Sequence, residues 1–356
     1  MKKKWRFVCI TILCLSIIGC GGIKEDNKAG ILVQESNPGQ IQVQKKGDMV
    51  WVPGGEFTMG TNAEESYPQE RPAVRKKVNP FWIDESEVTN REFSEFVKAT
   101  GYKTVAERKP DWEEMKKLVP PGTPKPPEEM LVPGSLVFVA PEGEMDVSDI
   151  SQWWKWVKGA SWKHPEGPGS DLEGRWNHPV VHIAYEDAQT YAKWAGKRLP
   201  TEEEWEFASK GGKDNRIYAW GDTFKPHNQH MANTFQGKFP FGNKPEDGFL
   251  GTSPVKQYLP NEFGVYDMIG NVWELTDTWY DALAFKRAVK KDLLHDSNIT
   301  QCYNPYNEFA VEKVVKGGSF LCSDNYCVNY RPSARQGQDI YSGTSNIGFR
   351  CVVSAK

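Results

Sequence analysis

Glycine and proline constrain the fold of this chain more than any other feature of its sequence. The 356 residues include 32 glycines and 24 prolines, which leave little room for long helices or strands. The 14 tryptophans, 17 phenylalanines and 13 tyrosines still provide ample apolar surface for a buried core. This combination is typical of a globular protein whose short elements are joined by long irregular loops.

Three segments carry clear helical signals. In the first, Thr89 and Glu92 have the spacing of a capping box, an apolar stripe follows, and Gly101 ends the pattern. The second predicted helix covers residues 186–195, and the third follows Thr201, again with a glutamate three positions later. Elsewhere short strands alternate with turn residues and show no strand–helix–strand rhythm, so the sequence predicts an α+β fold.

The strand signals are short and irregularly spaced. Residues 49–60 predict a hairpin around Pro53-Gly54-Gly55, and residues 81–84 predict a further strand. Residues 103–148 are rich in proline and charge and predict a long excursion over the surface. Four tryptophans then crowd into residues 153–162, a stretch without strand or helix period, where they either pack in the core or line a groove. We expect one of them, Trp154, to face a ligand.

The N-terminus has the character of an export signal. A basic start and an apolar stretch too short to span a bilayer end at Cys20, in the pattern of a bacterial lipobox. The alternative is an ordinary signal anchor. We expect a signal peptide at 1–20, a lipid anchor at Cys20, a polar tether at 21–46 and a folded domain at 47–356. The predicted location is the cell envelope, on the periplasmic side or at the outer membrane.

Charge and motifs exclude several classes of function. Removal of the four basic leader residues changes the formal net charge from −3 to −7. The mature chain then has no basic patch, so we expect no nucleic-acid partner. It also lacks a Gly-x-Gly-x-x-Gly or Walker pattern, which disfavours a nucleotide-binding fold.

Four cysteines remain in the predicted mature domain: Cys302, Cys322, Cys327 and Cys351. In an oxidising compartment they would usually form two disulfides. Cys322 and Cys327, however, lie five positions apart after Gly-Gly-Ser, and two converging thiolates also suit Cu(I). The histidine pairs 178/182 and 227/230 have plausible ligand spacing for iron or zinc, but a structural role is favoured for them.

Acidic and amide residues on predicted tight turns form a second constellation. It comprises residues 233–234, 246–249 and 267–274, which carry aspartate, glutamate and asparagine beside glycine. Such side chains mostly stabilise turns. Together with free carbonyl groups they also suit Ca²⁺, which takes six to eight oxygen ligands.

These residues stand in motifs that resemble the formylglycine-generating enzymes, the sulfatase-modifying factor family, across nearly the whole predicted domain. The matching stretches are residues 52–60, 157–168, 178–182, 194–205, 270–274 and the C-terminal segment with Gly317-Gly318-Ser319, Cys322, Cys327 and Gly348-Phe349-Arg350. Many relatives share Gly-Phe-Arg, and far fewer keep the two cysteines. The resemblance implies a variant of the C-type lectin fold.

The resemblance also implies an oxidase that uses O₂. Cys322 and Cys327 would hold Cu(I), and the thiol of a cysteine within a Cys-x-Pro-x-Arg segment of an unfolded sulfatase would join them. Oxidation at the substrate Cβ would give a thioaldehyde that hydrolyses to formylglycine. Ser319 would lie beside the copper, and Asn346 and Arg350 would border the substrate cleft.

Two calcium sites follow from the same resemblance. The first would use Asn233, the carbonyl of Thr234, Asp247 and the carbonyl of Phe249. The second would use Asp267, the carbonyls of Gly270 and Val272, and Glu274. A disulfide between Cys302 and Cys351 could replace bridges that the animal enzymes have and this chain lacks.

Two departures from the family pattern concern the substrate. Ser323 stands where relatives commonly have histidine, and residues 336–339 read Gln-Gly-Gln-Asp in place of the usual motif. The main alternative function is therefore a non-catalytic envelope lipoprotein that acts as a scaffold in gliding or secretion, with a plain Cys322–Cys327 disulfide. An iron-dependent sulfoxide synthase is disfavoured, because no second helical domain is evident.

Overall fold

The computed structural model describes residues 43–143, 149–214, 216–289 and 302–355. The predicted signal peptide, the lipidation site at Cys20 and most of the predicted tether lie outside these residues. Within the described ranges the helices are α1 (Asn90–Thr100), α2 (Trp112–Met115), α3 (Tyr185–Trp194), α4 (Glu202–Ser209) and α5 (Ala284–Val289). None of these helices is long and apolar enough to cross a membrane.

The strands are short and belong to four sheets. They are β1 (Lys45–Lys46), β2 (Met49–Val52), β3 (Gly55–Met59), β4 (Val74–Val78), β5 (Phe81–Asp84), β6 (Gly134–Phe138), β7 (Trp154–Lys158), β8 (Trp273–Trp279), β9 (Glu312–Lys316), β10 (Arg335–Asp339), β11 (Ile347–Gly348) and β12 (Val352–Ser354). One sheet has the order β1-β2-β5-β12 and is antiparallel. A second has the order β10-β9-β8-β11, in which β11 is parallel to β8, and β3–β4 and β6–β7 form separate pairs. Few helices and many short strands confirm the predicted α+β class. Strand β1 falls in the last residues of the segment predicted as a tether.

The helices begin and end where their capping signals predict. Thr89 Oγ1 accepts a hydrogen bond from the Glu92 amide at 3.3 Å, and the Glu92 carboxylate accepts one from the Thr89 amide at 2.8 Å. Gly101, with φ of +67°, ends α1 in the left-handed conformation that favours glycine. Thr201 caps α4 in the same way as Thr89 caps α1. Local sequence therefore determines these boundaries, and α3 differs from its prediction by one residue at each end.

The main core lies between α1, α3 and the C-terminal end of the chain. Phe93 stacks on Tyr191 at 5.8 Å between ring centroids, and Phe349 packs edge-on against both rings. Val352 then pairs with Ile83, which places β12 beside β5 in the first sheet. The two ends of the folded domain are thus joined in one sheet.

Buried ion pairs connect α4 to the second sheet. Lys316 Nζ lies 2.9 Å from Glu206 Oε2, and both side chains are fully buried. Arg335 Nε lies 2.7 Å from Glu202 Oε1, also in the interior. Removing one member of such a pair would leave an uncompensated buried charge, so these contacts fix β9 and β10 against α4. The segment with Cys322 and Cys327 begins where β9 ends.

The predicted hairpin at residues 49–60 is wrong. Strand β2 pairs with β1 and β5, whereas β3 pairs with β4 in another sheet. Gly54 has φ of +70°, and a Cβ atom there would lie 2.6 Å from the Val78 carbonyl oxygen. The Pro-Gly-Gly turn therefore passes the chain from one sheet to the next, because both strands have better partners elsewhere in the sequence.

Two loop predictions also need correction. Residues 154–158 form strand β7, which pairs with β6 from the segment predicted as a surface excursion. Trp153 is buried, and Trp154 is half-buried on the strand. The strand was not recognised because apolar residues at neighbouring positions, such as Trp153 and Trp154, interrupt the alternation of apolar and polar residues that indicates a strand.

Candidate functional site

Two glycines form the turn that presents the cysteine pair. Gly317 and Gly318 follow β9 with φ values of +93° and +75°. A Cβ atom on Gly318 would lie 2.9 Å from the Asn329 carbonyl oxygen and 3.2 Å from Cys322 Sγ. The sulfur thus packs directly against this backbone, and no side chain fits there without displacing it.

The two sulfurs converge without being bonded. Cys322 Sγ and Cys327 Sγ lie 3.1 Å apart, well beyond the length of about 2.05 Å of a disulfide bond, and both cysteines are free thiols. Cys322 is buried and Cys327 is half-buried. The plain disulfide expected for a scaffold protein is therefore not formed in this structure.

Asn329 contacts the more accessible sulfur. Its Nδ2 atom lies 2.9 Å from Cys327 Sγ, and its Oδ1 atom is buried without a hydrogen-bond partner. Hydrogen bonding from Cys322, and in addition from Asn329, lowers the pKa of the Cys327 thiol. Burial raises the pKa of the Cys322 thiol well above its usual range, so Cys327 is the member of the pair that ionises more readily.

A neighbouring loop holds the segment that carries the two cysteines. The Phe235 amide donates to the Cys322 carbonyl oxygen at 2.9 Å. Asn325 accepts a hydrogen bond from the Phe239 amide at 3.1 Å, and Tyr326 stacks on the Phe239 ring at 4.5 Å. The position of both thiols therefore depends on residues 235–239.

An aromatic cluster extends from this loop toward Trp154. Its buried members are Trp153, Phe235, Phe239, Phe320 and Leu321, and Phe138 and Trp154 pack against it. Phe138 and Phe320 also line a cavity of about 450 Å³. The predicted ligand-facing Trp154 is thus linked by packing to the cysteine segment, although neither cysteine lines that cavity.

Ser319 and Asn346, two predicted site residues, lie in contact. Ser319 Oγ accepts a hydrogen bond from Asn346 Nδ2 at 2.9 Å, and Asn346 Oδ1 accepts one from Thr344 at 2.6 Å. The Cys322 amide in turn donates to the Ser319 carbonyl oxygen at 2.9 Å. Ser319 is therefore joined to Cys322 through one backbone hydrogen bond and to β11 through Asn346.

The structure places Arg350 away from any cleft, contrary to the prediction. The guanidinium is fully buried and makes two hydrogen bonds to the Glu274 carboxylate, at 2.6 and 2.7 Å. It also donates to the Tyr266 carbonyl oxygen. Arg350 is therefore an interior ion-pair residue, because sequence proximity to Asn346 does not determine which way its side chain turns.

The second predicted calcium set does not offer a free carboxylate at Glu274. Both Glu274 oxygens accept from Arg350, and one also accepts from the Trp205 indole at 2.8 Å. Asp267 is nearby and accepts from the Lys256 amide, and burial raises the pKa of its carboxyl to about 6. Only backbone carbonyls of Gly270 and Val272 remain without such competition, so the donor set fits Ca²⁺ poorly.

The first predicted calcium set is better assembled. The Thr234 amide donates to Asp247 Oδ2 at 3.0 Å, which brings these two residues together. Asn233 is fully buried, and its Oδ1 atom has no hydrogen-bond partner. The Phe249 carbonyl oxygen has only a long contact, 3.4 Å, from Asn243. A buried oxygen without a partner, together with a carboxylate and two carbonyls, is a donor set that suits a hard cation.

The remaining cysteines and histidines have structural environments. Cys302 and Cys351 are free thiols, so the Cys302–Cys351 bridge is not formed. Cys302 lies beside Glu312, and burial raises the pKa of its thiol to about 11. His182 uses both ring nitrogens, on Ser135 and on the Pro165 carbonyl. Across the described ranges, no three histidine, cysteine or acidic side chains come together as a metal site.

Sequence reasoning missed three residues of the site. Asn329, Asn325 and Gln236 each contact a predicted site residue or its loop, but none stands in a motif. Their only signal is proximity in sequence: Asn329 lies two positions after Cys327, and Gln236 lies two after Thr234. Amide side chains are common in loops, so this proximity alone does not distinguish them.

Comparisons with known proteins identify relatives of this chain. Residues 34–355 match the family described as the sulfatase-modifying factor enzyme 1-like domain. The chain is similar to a formylglycine-generating enzyme of Mycobacterium tuberculosis, with 45% identity over 86% of this chain and 97% of the relative. It is 37% identical to a Bos taurus protein named an inactive C-alpha-formylglycine-generating enzyme 2, over 86% of this chain and 88% of that relative.

The structure of PvdO from Pseudomonas aeruginosa has a similar fold. Its TM-score is 0.54 at 23% sequence identity, and the match covers 90% of this chain and 100% of that chain. At this identity the likeness extends to the fold alone. The relatives at higher identity therefore carry the information about family.

Proposed function

The chain belongs to the sulfatase-modifying factor family, and on this premise we propose that it converts a cysteine of sulfatase-type polypeptides to formylglycine. The observation that carries this proposal is the pair of free, converging thiols of Cys322 and Cys327. A fold can be kept while its activity is lost, so the thiol pair matters more than the fold. The client is an unfolded sulfatase segment of the form Cys-x-Pro-x-Arg.

Copper fits the donor set at the thiol pair. Two soft sulfur donors, one of them with a lowered pKa, are the ligands that Cu(I) prefers. Zinc would require four ligands, and no third histidine, cysteine or carboxylate accompanies the pair within the described residues. Cys322 and Cys327 would therefore hold Cu(I), which when bound activates O₂ and binds the thiol of the substrate cysteine.

The protein's own residues supply orientation. Asn329 restrains the Cys327 sulfur, and the Cys322 sulfur packs against the turn at Gly317-Gly318. Ser319 is tied to Asn346 and bonded through its backbone to Cys322, and its hydroxyl group would hold oxygen or water by hydrogen bonding. Such orientation lowers the barrier because the reacting groups no longer have to find each other in solution.

The reaction removes two electrons and two protons from the substrate cysteine. The Cβ–H and S–H bonds break, a C=S bond forms, and O₂ accepts the electrons. Water then adds to the thioaldehyde, sulfide leaves, and the aldehyde of formylglycine remains. Trp154 is half-buried and packs against the buried aromatic cluster, and its exposed part would provide an apolar surface for the rest of the substrate peptide.

Calcium belongs to the proposal as a structural ion. Asn233, Thr234, Asp247 and Phe249 would hold it, since the Asn233 oxygen is buried without a partner. The same loop contacts the cysteine segment through Phe235. The second set, with Asp267, Gly270, Val272 and Glu274, is not proposed as an equal site, because Arg350 already neutralises Glu274.

The proposed location is the cell envelope. The basic and apolar leader and the Gly19-Cys20 pattern support export and a lipid anchor at Cys20. The protein would then meet exported sulfatases before they fold. Metabolic labelling with a fatty-acid probe, compared with Cys20→Ala, tests the anchor directly.

One experiment tests the activity. The purified, reduced protein is loaded with Cu(I), mixed in air with a Cys-x-Pro-x-Arg peptide, and the product is analysed by mass spectrometry for the aldehyde. We expect turnover by the wild type, none by Cys322→Ser or Cys327→Ser, and unchanged turnover by Cys302→Ser. An inert wild type that binds Cu(I) would refute the proposed substrate.

The second candidate is a non-catalytic envelope lipoprotein that acts as a scaffold. Its support is the 37% identity to a relative named inactive, together with Ser323 and the altered residues 336–339. Gln336–Asp339 lie on β10 and pair with β9, and Ser323 is buried. A wild type that neither binds Cu(I) nor forms the aldehyde would favour the scaffold.

A further inference from the structure

The amide group of Gln236 lies within the first calcium donor set. Its Nε2 atom donates to the Thr234 carbonyl oxygen and, at 2.7 Å, to Asp247 Oδ2. Its Oε1 atom accepts a hydrogen bond from the Asp247 amide at 3.3 Å. The side chain is 7% exposed, so water cannot readily replace it. A neutral amide thus bridges two of the oxygens that a cation would use.

Without an ion, the donor set has no positive charge to balance Asp247, and the Asn233 Oδ1 atom has no hydrogen-bond partner. Asp247 is the one carboxylate in the set, and the remaining donors are neutral oxygens. Asn233 uses its Nδ2 atom on the Gly251 carbonyl and on Asn271, which turns the unpartnered Oδ1 atom away from both. A buried acceptor without a donor destabilises the folded protein, and a bound cation would remove that cost.

We propose that Gln236 is a further ligand of this calcium site and that its terminal amide turns over when Ca²⁺ binds. A half-turn about the Cγ–Cδ bond exchanges Nε2 and Oε1 without moving the rest of the side chain. Oε1 then faces the ion beside the Thr234 carbonyl and Asp247. This inference rests on the proposed calcium site but not on the proposed catalytic activity.

The half-turn is required by the chemistry of the amide. An N–H group cannot face a cation, so Nε2 must leave its present position if the ion is to contact both Thr234 and Asp247. The turn sacrifices the two hydrogen bonds that Nε2 donates to Thr234 and Asp247, which contacts with the ion replace, and the long one of 3.3 Å between Oε1 and the Asp247 amide. In return the site gains one more oxygen ligand, which Ca²⁺ needs to approach six.

Gln236 would also link the ion to the thiol pair. The backbone N–H of the preceding residue, Phe235, donates to the Cys322 carbonyl oxygen. The backbone N–H of Gln236 donates to Asn243 Oδ1 at 2.7 Å. The backbone of residues 235–236 is therefore hydrogen-bonded both to the cysteine segment and to Asn243.

Calcium titration of the EDTA-stripped full-length protein by calorimetry tests the proposal. We expect Gln236→Leu to weaken Ca²⁺ binding about tenfold, because one ligand is lost, and Gln236→Glu to strengthen it about tenfold through a second carboxylate. In EDTA both variants should melt below the wild type. Gln338→Leu, which removes an amide bonded to Asp339 and Ser342 on another loop, is the matched control and should bind Ca²⁺ normally.

The outcomes distinguish a Gln236 side chain that binds Ca²⁺ from one that only fills the empty site. If Gln236 merely blocks the empty site, Gln236→Leu will bind Ca²⁺ more tightly than the wild type, and the proposal is overturned. Unchanged affinity in both variants also overturns it. Tb³⁺ luminescence lifetimes in H₂O and D₂O give a second readout, in which Gln236→Leu should show one more bound water. A wild type that binds no Ca²⁺ refutes the calcium site itself and leaves the oxidase proposal intact.

Discussion

Asn329 Nδ2 lies 2.9 Å from Cys327 Sγ, and this contact restrains one sulfur of a pair whose other member, Cys322, packs against the Gly318 backbone. The two thiols therefore face each other because separate parts of one segment support each of them. Asn329 also keeps a buried, unpartnered Oδ1 atom next to the site. The predictions below address these supports and the interior contacts behind them.

Asn329→Ala should weaken Cu(I) binding about five- to tenfold, since a hydrogen bond to a charged group contributes roughly 1 kcal/mol or more. Competition with a chromophoric Cu(I) chelator measures the affinity. Asn304→Ala, which removes an amide bonded to Glu312 in another loop, should leave it unchanged. Equal affinities for Asn329→Ala and the wild type would show that Asn329 does not orient the pair.

Gly318→Ala should destabilise the protein by more than about 2 kcal/mol and abolish Cu(I) binding, because the new Cβ meets the Asn329 carbonyl and Cys322 Sγ. Gly101→Ala is the matched control: Gly101 has φ of +67° but nothing within 4 Å of the added Cβ, so its cost should be about 1 kcal/mol. Urea unfolding measures both. Similar losses in the two variants would mean that backbone conformation alone, and not the contact with the sulfur, is responsible.

Calcium removal should weaken Cu(I) binding in the wild type. The loop with Asn233 and Asp247 supports the cysteine segment through the Phe235 amide and the Tyr326–Phe239 stack, so a looser loop leaves the thiols less well placed. We expect a several-fold loss of Cu(I) affinity in a calcium chelator that does not bind copper, restored by added Ca²⁺. Identical Cu(I) affinities with and without Ca²⁺ would show that the calcium site does not influence the thiol pair.

Arg350→Met should cost about 3–5 kcal/mol of stability, because it leaves the buried Glu274 carboxylate without its partner. Arg91→Met on the surface, where Arg91 has one long contact to Asn177, should cost less than about 0.5 kcal/mol. Thermal and urea unfolding report the difference. A stable Arg350→Met protein with a raised KM for the peptide would instead show that Arg350 acts in substrate binding.

Stability should fall on acidification in a manner that depends on His182. Burial lowers the pKa of His182 to about 4, so between about pH 6.5 and 4 the unfolded chain binds a proton that the folded protein does not. Stability from this residue is full above pH 6.5 and decreases as the pH falls, by about 2 kcal/mol at pH 5. His182→Asn, which suits the φ of +60°, should show a shallower loss between pH 7.5 and 5 in urea titrations. Parallel profiles would exclude His182 as the source.

Local sequence determined the elements whose signals are local. The capping boxes at Thr89 and Thr201 and the glycine at 101 gave the boundaries of α1 and α4, because the hydrogen bonds that start or stop a helix involve residues three or four positions apart. The same holds for the glycine turn before Cys322. The family motifs likewise drew attention to Cys322 and Cys327, whose sulfurs the structure brings together.

Tertiary structure decided which strands pair and which way buried side chains turn. Strand β2 prefers β5 to the adjacent β3, since pairing depends on partners distant in sequence, and the tryptophan segment is a strand because β6 lies beside it. Arg350 points to Glu274 rather than to a cleft because an interior charge must find its counter-charge wherever the fold places it. Gln236 and Asn329 acquire their roles only through contacts that no sequence pattern specifies.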